Sequence, residues 1–114
     1  MKRIERVEVT LLNGNKEEFD VFVGAMELIS FEVEYEKITG KESTFIKELQ
    51  KIQDGSMKSI LILLAISMHK KDSIKSIGLK YLNENINVFE NLEVLMEALG
   101  NAMESNKLLN KEGK

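Results

Sequence analysis

Residues 7–11 read Val-Glu-Val-Thr-Leu and residues 19–23 read Phe-Asp-Val-Phe-Val. Both alternate as strands do, with Phe19, Val21 and Val23 on one face. Asn13-Gly14-Asn15 lies between them, and Asn-Gly supplies the positive φ angles of a tight hairpin turn. The pattern predicts a β-hairpin over about 4–23, pairing 4–12 with 17–23. A lone hairpin is marginal in water, so it is expected to pack on helices or pair with another chain.

Residues 24–39 carry two signals. Phe31 to Glu36 alternates strictly, as a strand would. Met26, Ile29 and Val33 nonetheless keep helical spacing, as do Leu28, Phe31 and Tyr35, and Gly40 suits a left-handed helix stop. The two stripes and the stop together favour a helix. Ser43 or Thr44 then N-caps a short helix bearing Phe45, Ile46, Leu49 and Ile52, closed by Asp54-Gly55. Ser56 caps a helix through about His69 that is apolar nearly all round and is expected at the buried centre. Lys70-Lys71 would follow at its negative pole. Ser73 is expected to cap a helix with Ile74, Ile77, Tyr81 and Leu82. Asn87-Val88-Phe89-Glu90 is a capping-box variant opening a long helix with Leu92, Leu95, Leu99, Ala102 and Met103 on one face. The tail from 105 to 114 is polar apart from Leu108-Leu109 and is expected to fray. The fold class expected is α+β, mostly α: the hairpin followed by a bundle of about five helices, in a single domain over 1–114.

Composition narrows the chemistry. The 114 residues include no Cys, Pro or Trp and a single His. A disulfide framework, a thiolate nucleophile, a cysteine zinc site and a two-histidine metal site within one chain are thereby excluded. Lack of Pro permits uninterrupted helices. The net charge is −3, with 8 basic and 12 acidic residues over 1–57 against 8 and 7 over 58–114. No basic stripe is present, so nucleic-acid binding is not expected. The apolar run Ile60–Ile66 is far short of the roughly 20 residues of a spanning helix, and the basic start is interrupted by Glu5 and Glu8, so neither a membrane segment nor a signal is expected.

Candidate reactive groups are few. His69 has no carboxylate four residues away to orient it, since position 65 is Ala and 73 is Ser, which favours a surface residue at a helix end over a general base. Glu27, Glu32, Glu34 and Glu36 lack the Asp-rich loop of a calcium site and read as a solvated acidic face. The glycines form no phosphate-cradling cluster; Gly78 and Gly100 fall inside expected helices, each marking a close contact or a break. No catalytic group, cofactor or metal is expected. Met26, Met57, Met68, Met96 and Met103 all fall in expected helices, where Met fills cores or serves adaptable apolar surfaces.

The order of motifs resembles a known family. A helix ends in Tyr35-Glu36-Lys37-Ile38-Thr39-Gly40-Lys41, a short helix follows, then Gly55-Ser56-Met57-Lys58 and Ile60-Leu61-Ile62-Leu63-Leu64-Ala65. Over residues 20–104 this is similar to the tail assembly chaperones of long-tailed bacteriophages and related tail-like particles, which carry an apolar-Glu-x-x-Thr-Gly-Lys stretch at a helix end. The resemblance implies a non-enzymatic protein of the host bacterial cytoplasm, absent from the mature virion. It implies binding to the aggregation-prone helical segments of a tape measure protein while tail tube subunits polymerise around it. It also implies homo-oligomers in some members, and a longer frameshifted form that recruits the tail tube protein. Glu112-Gly113-Lys114 is compatible with a slippery codon run for such a shift. Partner-binding residues expected on this view are Met57, Met68, Leu92, Leu95, Met96, Leu99 and Met103. The alternatives are a small helical adaptor or regulatory protein, and a minor phage tail structural subunit.

Overall fold

The computed structural model describes residues 4–105. Over these residues the chain is α+β and mostly α, with the expected hairpin followed by five helices. Strands β1 (Glu5–Thr10) and β2 (Lys16–Val21) pair antiparallel, with Val7 opposite Phe19. Val7, Val9, Phe19 and Val21 form the buried face, while Arg6 and Glu8 point outward. The turn is looser than the two-residue form that Asn-Gly suggested. Leu11 N–H donates to Asn15 O and Gly14 N–H to Leu11 O, and only Gly14 takes a positive φ, of 90°. This is a three-residue loop with a bulge at the glycine.

Helix α1 (Ala25–Thr39) resolves the ambiguous segment. A strand would put Phe31, Val33 and Tyr35 on one face; the helix buries Phe31 and Tyr35 and leaves Val33 in water. It stops at Gly40, whose φ is 76°. Thr44 caps α2 (Phe45–Gln53) by accepting from Lys47 N–H at 3.1 Å. Helix α3 (Met57–Ser67) is the buried centre, with Ile60, Ile62, Leu63, Leu64, Ala65 and Ile66 all in the core.

Two expectations fail at the end of α3. The helix stops at Ser67, and Met68–Lys70 form a third strand, β3, beside β2 in the order β1-β2-β3. Met68 is therefore a strand residue, not a helical one. No Gly or Pro marks this stop. The last carbonyls of α3 are taken by distant partners: Ser67 O accepts from Phe22 N–H at 3.0 Å, and Ile66 O from Ser76 Oγ at 2.6 Å. Nor does Ser73 start a helix; its hydroxyl accepts from Lys75 N–H. After a turn with Asp72 at φ 63°, the chain folds back so that Ser76 bridges His69 and Ile77 N–H donates to Met68 O. Helix α4 (Gly78–Asn85) begins only at Gly78, whose φ of 85° makes it a break and not a close contact, since a Cβ there would meet nothing within 4 Å. Gly100 lies mid-helix in α5 (Val88–Ser105), and a methyl there would meet nothing within 4 Å, so it marks neither a contact nor a break.

Asn87 caps helix α5, its Oδ1 accepting from Glu90 N–H at 3.2 Å, while the Glu90 side chain is exposed. It runs along β1, burying Leu95, Ala98, Leu99, Ala102 and Met103. The Asn91 carboxamide bonds both backbone groups of Thr10, at 3.0 Å each, in the manner of a neighbouring strand. The tail expected to fray and the Glu112-Gly113-Lys114 segment lie outside the described residues, save Ser105, which closes α5.

Candidate partner-binding groove

The hairpin turn, α3, α4 and the start of α5 enclose a surface groove of about 770 Å³. Leu61 of α3, Leu79 and Leu82 of α4, Ile86 and Val88 at the junction, and Leu12 from the turn give it apolar walls. Phe89 stands at its edge, 76% exposed, and Leu12 is 57% exposed. Apolar side chains this open, gathered in one concavity, are the mark of an interaction site. Lys80, Asn83 and Asn87 complete the lining, so Lys80 is its only charged residue. The walls are pinned: Leu12 N–H donates to Asn85 O at 2.9 Å, Leu11 bridges Ile86, and Ile86 N–H donates to Leu82 O.

The residues expected from the methionines and the α5 stripe lie elsewhere. Met68, Leu95, Leu99 and Met103 are buried in the core; Met57 and Met96 are half-buried against it, and Leu92 is half-buried. None of the seven lines the groove. A sequence signal for it did exist: Leu79, Leu82, Ile86, Val88 and Phe89 crowd around a helix break, where one small helix cannot bury them all. A second apolar surface lies on α1, where Met26, Ile29 and Val33 are each more than half exposed.

At the other end of the sheet, polar groups are buried instead. His69 is fully enclosed in β3, not at a helix surface. Its Nδ1 donates to Asp20 O at 3.3 Å, since a carbonyl can only accept, and its Nε2 lies 3.2 Å from Glu27 Oε2. The orienting carboxylate sought four residues away is thus supplied by α1. Glu27 is itself buried and accepts from Gly24 N–H at 2.7 Å, so it is no part of a solvated face. Glu32 caps α2 by accepting from Phe45 N–H, and Glu36 is exposed as expected. The His69 ring stacks on Phe22 with centroids 3.6 Å apart and planes 4° from parallel. A reacting imidazole works through its ring nitrogens, and here both are held by protein partners in a side chain with no exposure.

Asp20, on the same strand pair, accepts from Arg6 Nε at 2.7 Å and from Asp72 N–H at 2.8 Å. The Arg6 hydrogen bond holds its carboxyl below the usual range, against the opposing effect of burial. Burial pushes Glu48 up, but hydrogen bonds from Ser43 and Ser59 and the nearby Lys51 outweigh it and hold that carboxyl low as well. No buried side-chain nitrogen or oxygen among the described residues lacks a partner. Nor do the described residues include a group of three or more His, Cys, Asp or Glu placed to hold a metal. No described helix is long and apolar enough to cross a membrane.

No family model, curated protein or solved structure matches this chain. The functional reading therefore rests on the groove and on the motif order at residues 35–65.

Proposed function

We propose that this chain is a non-enzymatic tail assembly chaperone of a long-tailed bacteriophage or related particle. It binds the tape measure protein, keeps it soluble and helps the tail tube polymerise around it. The observation that carries this reading is the apolar groove walled by Leu12, Leu61, Leu79, Leu82, Ile86 and Val88. A groove of this kind accepts the apolar side of an amphipathic helix, the element in which a tape measure protein is rich. The motif resemblance over residues 20–104 supports the same assignment, and the sealing of the one histidine favours binding over catalysis. On this reading the protein acts in the host cytoplasm, leaves before the virion matures, and meets the tail tube protein through a longer frameshifted form.

Co-expression with the long helical protein encoded downstream tests the proposal. A chaperone moves that protein into the soluble fraction and co-purifies with it, and Leu79→Glu abolishes both effects. A downstream gene encoding no such protein, or one that stays insoluble, overturns the reading. Mass spectrometry of purified virions addresses the structural-subunit alternative, which requires the chain to be present there.

A further inference from the structure

Asn13 is followed by Gly14, and both are exposed in the loop joining β1 to β2. Asn15 N–H donates to Asn13 Oδ1 at 2.9 Å. This bond spans Gly14 and folds the Asn13 carboxamide over the Gly14 peptide, the local turn that Asn side chains form with their own backbone. A backbone nitrogen is thereby set beside an acyl carbon. Most residues hinder such an approach with a Cβ, and glycine has none. The space a Cβ would occupy at Gly14 is empty to 4 Å. Oδ1 gains negative charge when its carbon is attacked, and Asn15 N–H already points at it, as a donor in an oxyanion hole does.

One contact opposes the attack. Gly14 N–H donates to Leu11 O at 2.9 Å, so the nitrogen must leave this bond and lose its proton first. Bonds at exposed loop tips open by local fluctuation at little cost, so the turn meters the reaction without barring it. Asn-Gly occurs once in the chain. Among the described residues, Asn83, Asn85, Asn91 and Asn101 lie within helices, and each is followed by a residue with a Cβ. Asn15 and Asn87 are followed by Lys16 and Val88.

We infer that Asn13 is a self-modification site, where the chain converts an asparagine to an isoaspartyl or aspartyl residue without an enzyme. The Gly14 nitrogen, its proton lost to solvent, bonds to Asn13 Cγ. The Cγ–Nδ2 bond breaks, and the nitrogen leaves as ammonia with a proton regained from solvent. Water then adds to one of the two carbonyls of the five-membered ring and reopens it, with no change of oxidation state. Either product places a carboxylate next to Leu12, in the groove wall. The isoaspartyl product also adds a methylene to the main chain between Leu11 and Asn15, whose hydrogen bond closes the loop. Leu12 N–H, held by Asn85 O at 2.9 Å, is one residue away and is expected to lose protection. The groove rim thus changes with the age of the protein.

The test incubates the full chain in mildly alkaline buffer, where the Gly14 amide loses its proton more often. Peptide mass spectrometry with isoaspartyl-specific methyl labelling follows the products. Asn13 is expected to convert about tenfold faster than any other asparagine, those being hindered by a following Cβ. Asn13→Gln, which would have to close a six-membered ring, is expected to suppress conversion at this position with the fold intact by circular dichroism. Gly14→Ala is expected to slow it, and a scrambled turn in that variant leaves Asn13→Gln as the control. Hydrogen exchange at the Leu12 amide is expected to quicken in the converted protein and to stay slow in freshly prepared Asn13→Asp, which adds the charge without the methylene. Conversion of other asparagines before Asn13, an unchanged rate in a folded Gly14→Ala, or Leu12 exchange indifferent to conversion overturns the inference. These readouts need no partner, so their failure leaves the chaperone reading untouched, and the failure of that reading leaves them standing.

Discussion

The two ends of the sheet are built on opposite terms. Around β2 and β3, charged and polar groups lie inside the protein: Asp20, Glu27 and His69 are each almost wholly enclosed and each is partnered. Around α4 and the start of α5, Leu12 and Phe89 lie open to water beside the half-buried Leu61, Leu79 and Val88 in a concave surface. A rule that sends apolar residues inward and polar residues outward fails at both ends, for different reasons. Partnered polar groups buried at one end tie five separate chain segments into a single arrangement. Apolar groups left at the other end contribute nothing by staying wet, and gain only when a partner covers them. Fixing the fold and offering a surface are thus assigned to different places.

The sharpest way to break the contrast is to unpair the buried end. Asp20→Ala strips the acceptor from Arg6 and from Asp72 N–H, and is expected to cost about 3 kcal/mol, at the low end for a broken buried pair because Arg6 is partly solvated. Urea denaturation with an unchanged slope and a lowered midpoint measures it. A smaller effect comes from acid. Asp20 and Glu48 have folded pKa values depressed below their unfolded ones, so their contribution is complete above about pH 5 and is withdrawn as pH falls through 4 and lower. Stability measured from pH 7 to pH 3 should decline in that window, and Glu48→Gln should flatten part of the decline. A flat profile to pH 3 would mean the carboxylates do not matter as described. The smallest effect belongs to the open end: Phe89→Ser is expected to shift stability by less than about 0.5 kcal/mol, as exposed sites do, while weakening partner binding.

Where local pattern and tertiary role agree, the sequence was easy to read. The hairpin follows from alternation, α3 from its apolar run, α5 from its cap and stripe, and α1 from two stripes and Gly40. That second stripe, Met26, Ile29 and Val33, is apolar without being core, which is why helix and strand patterns competed there. The features missed are those that distant residues impose. Phe22 and Ser76 end α3, and neither is near in sequence. Glu27 orients His69 from α1, far from β3 in sequence, so no i±4 search could find it. The groove escaped because its leucines are chemically the same as core leucines; only the placement of α4 after the His69–Ser76 bridge decides which of them stay wet. The methionines drew attention to themselves by their flexibility, yet packing has used most of them.

The position of β2 has a consequence for how the chain is made. It is the middle strand, but its partners become available at very different times. β1 is already present when β2 emerges, so the hairpin can close at once. β3 follows only after α1, α2 and α3, and closing so long a loop costs about 3 kcal/mol of chain entropy. During synthesis, then, the edge of β2 facing Met68–Lys70 stays open until Lys70 has left the ribosome. Throughout that interval the nascent protein carries an unpaired strand edge beside Phe19 and Val21, the state in which it is most exposed to joining the wrong neighbour.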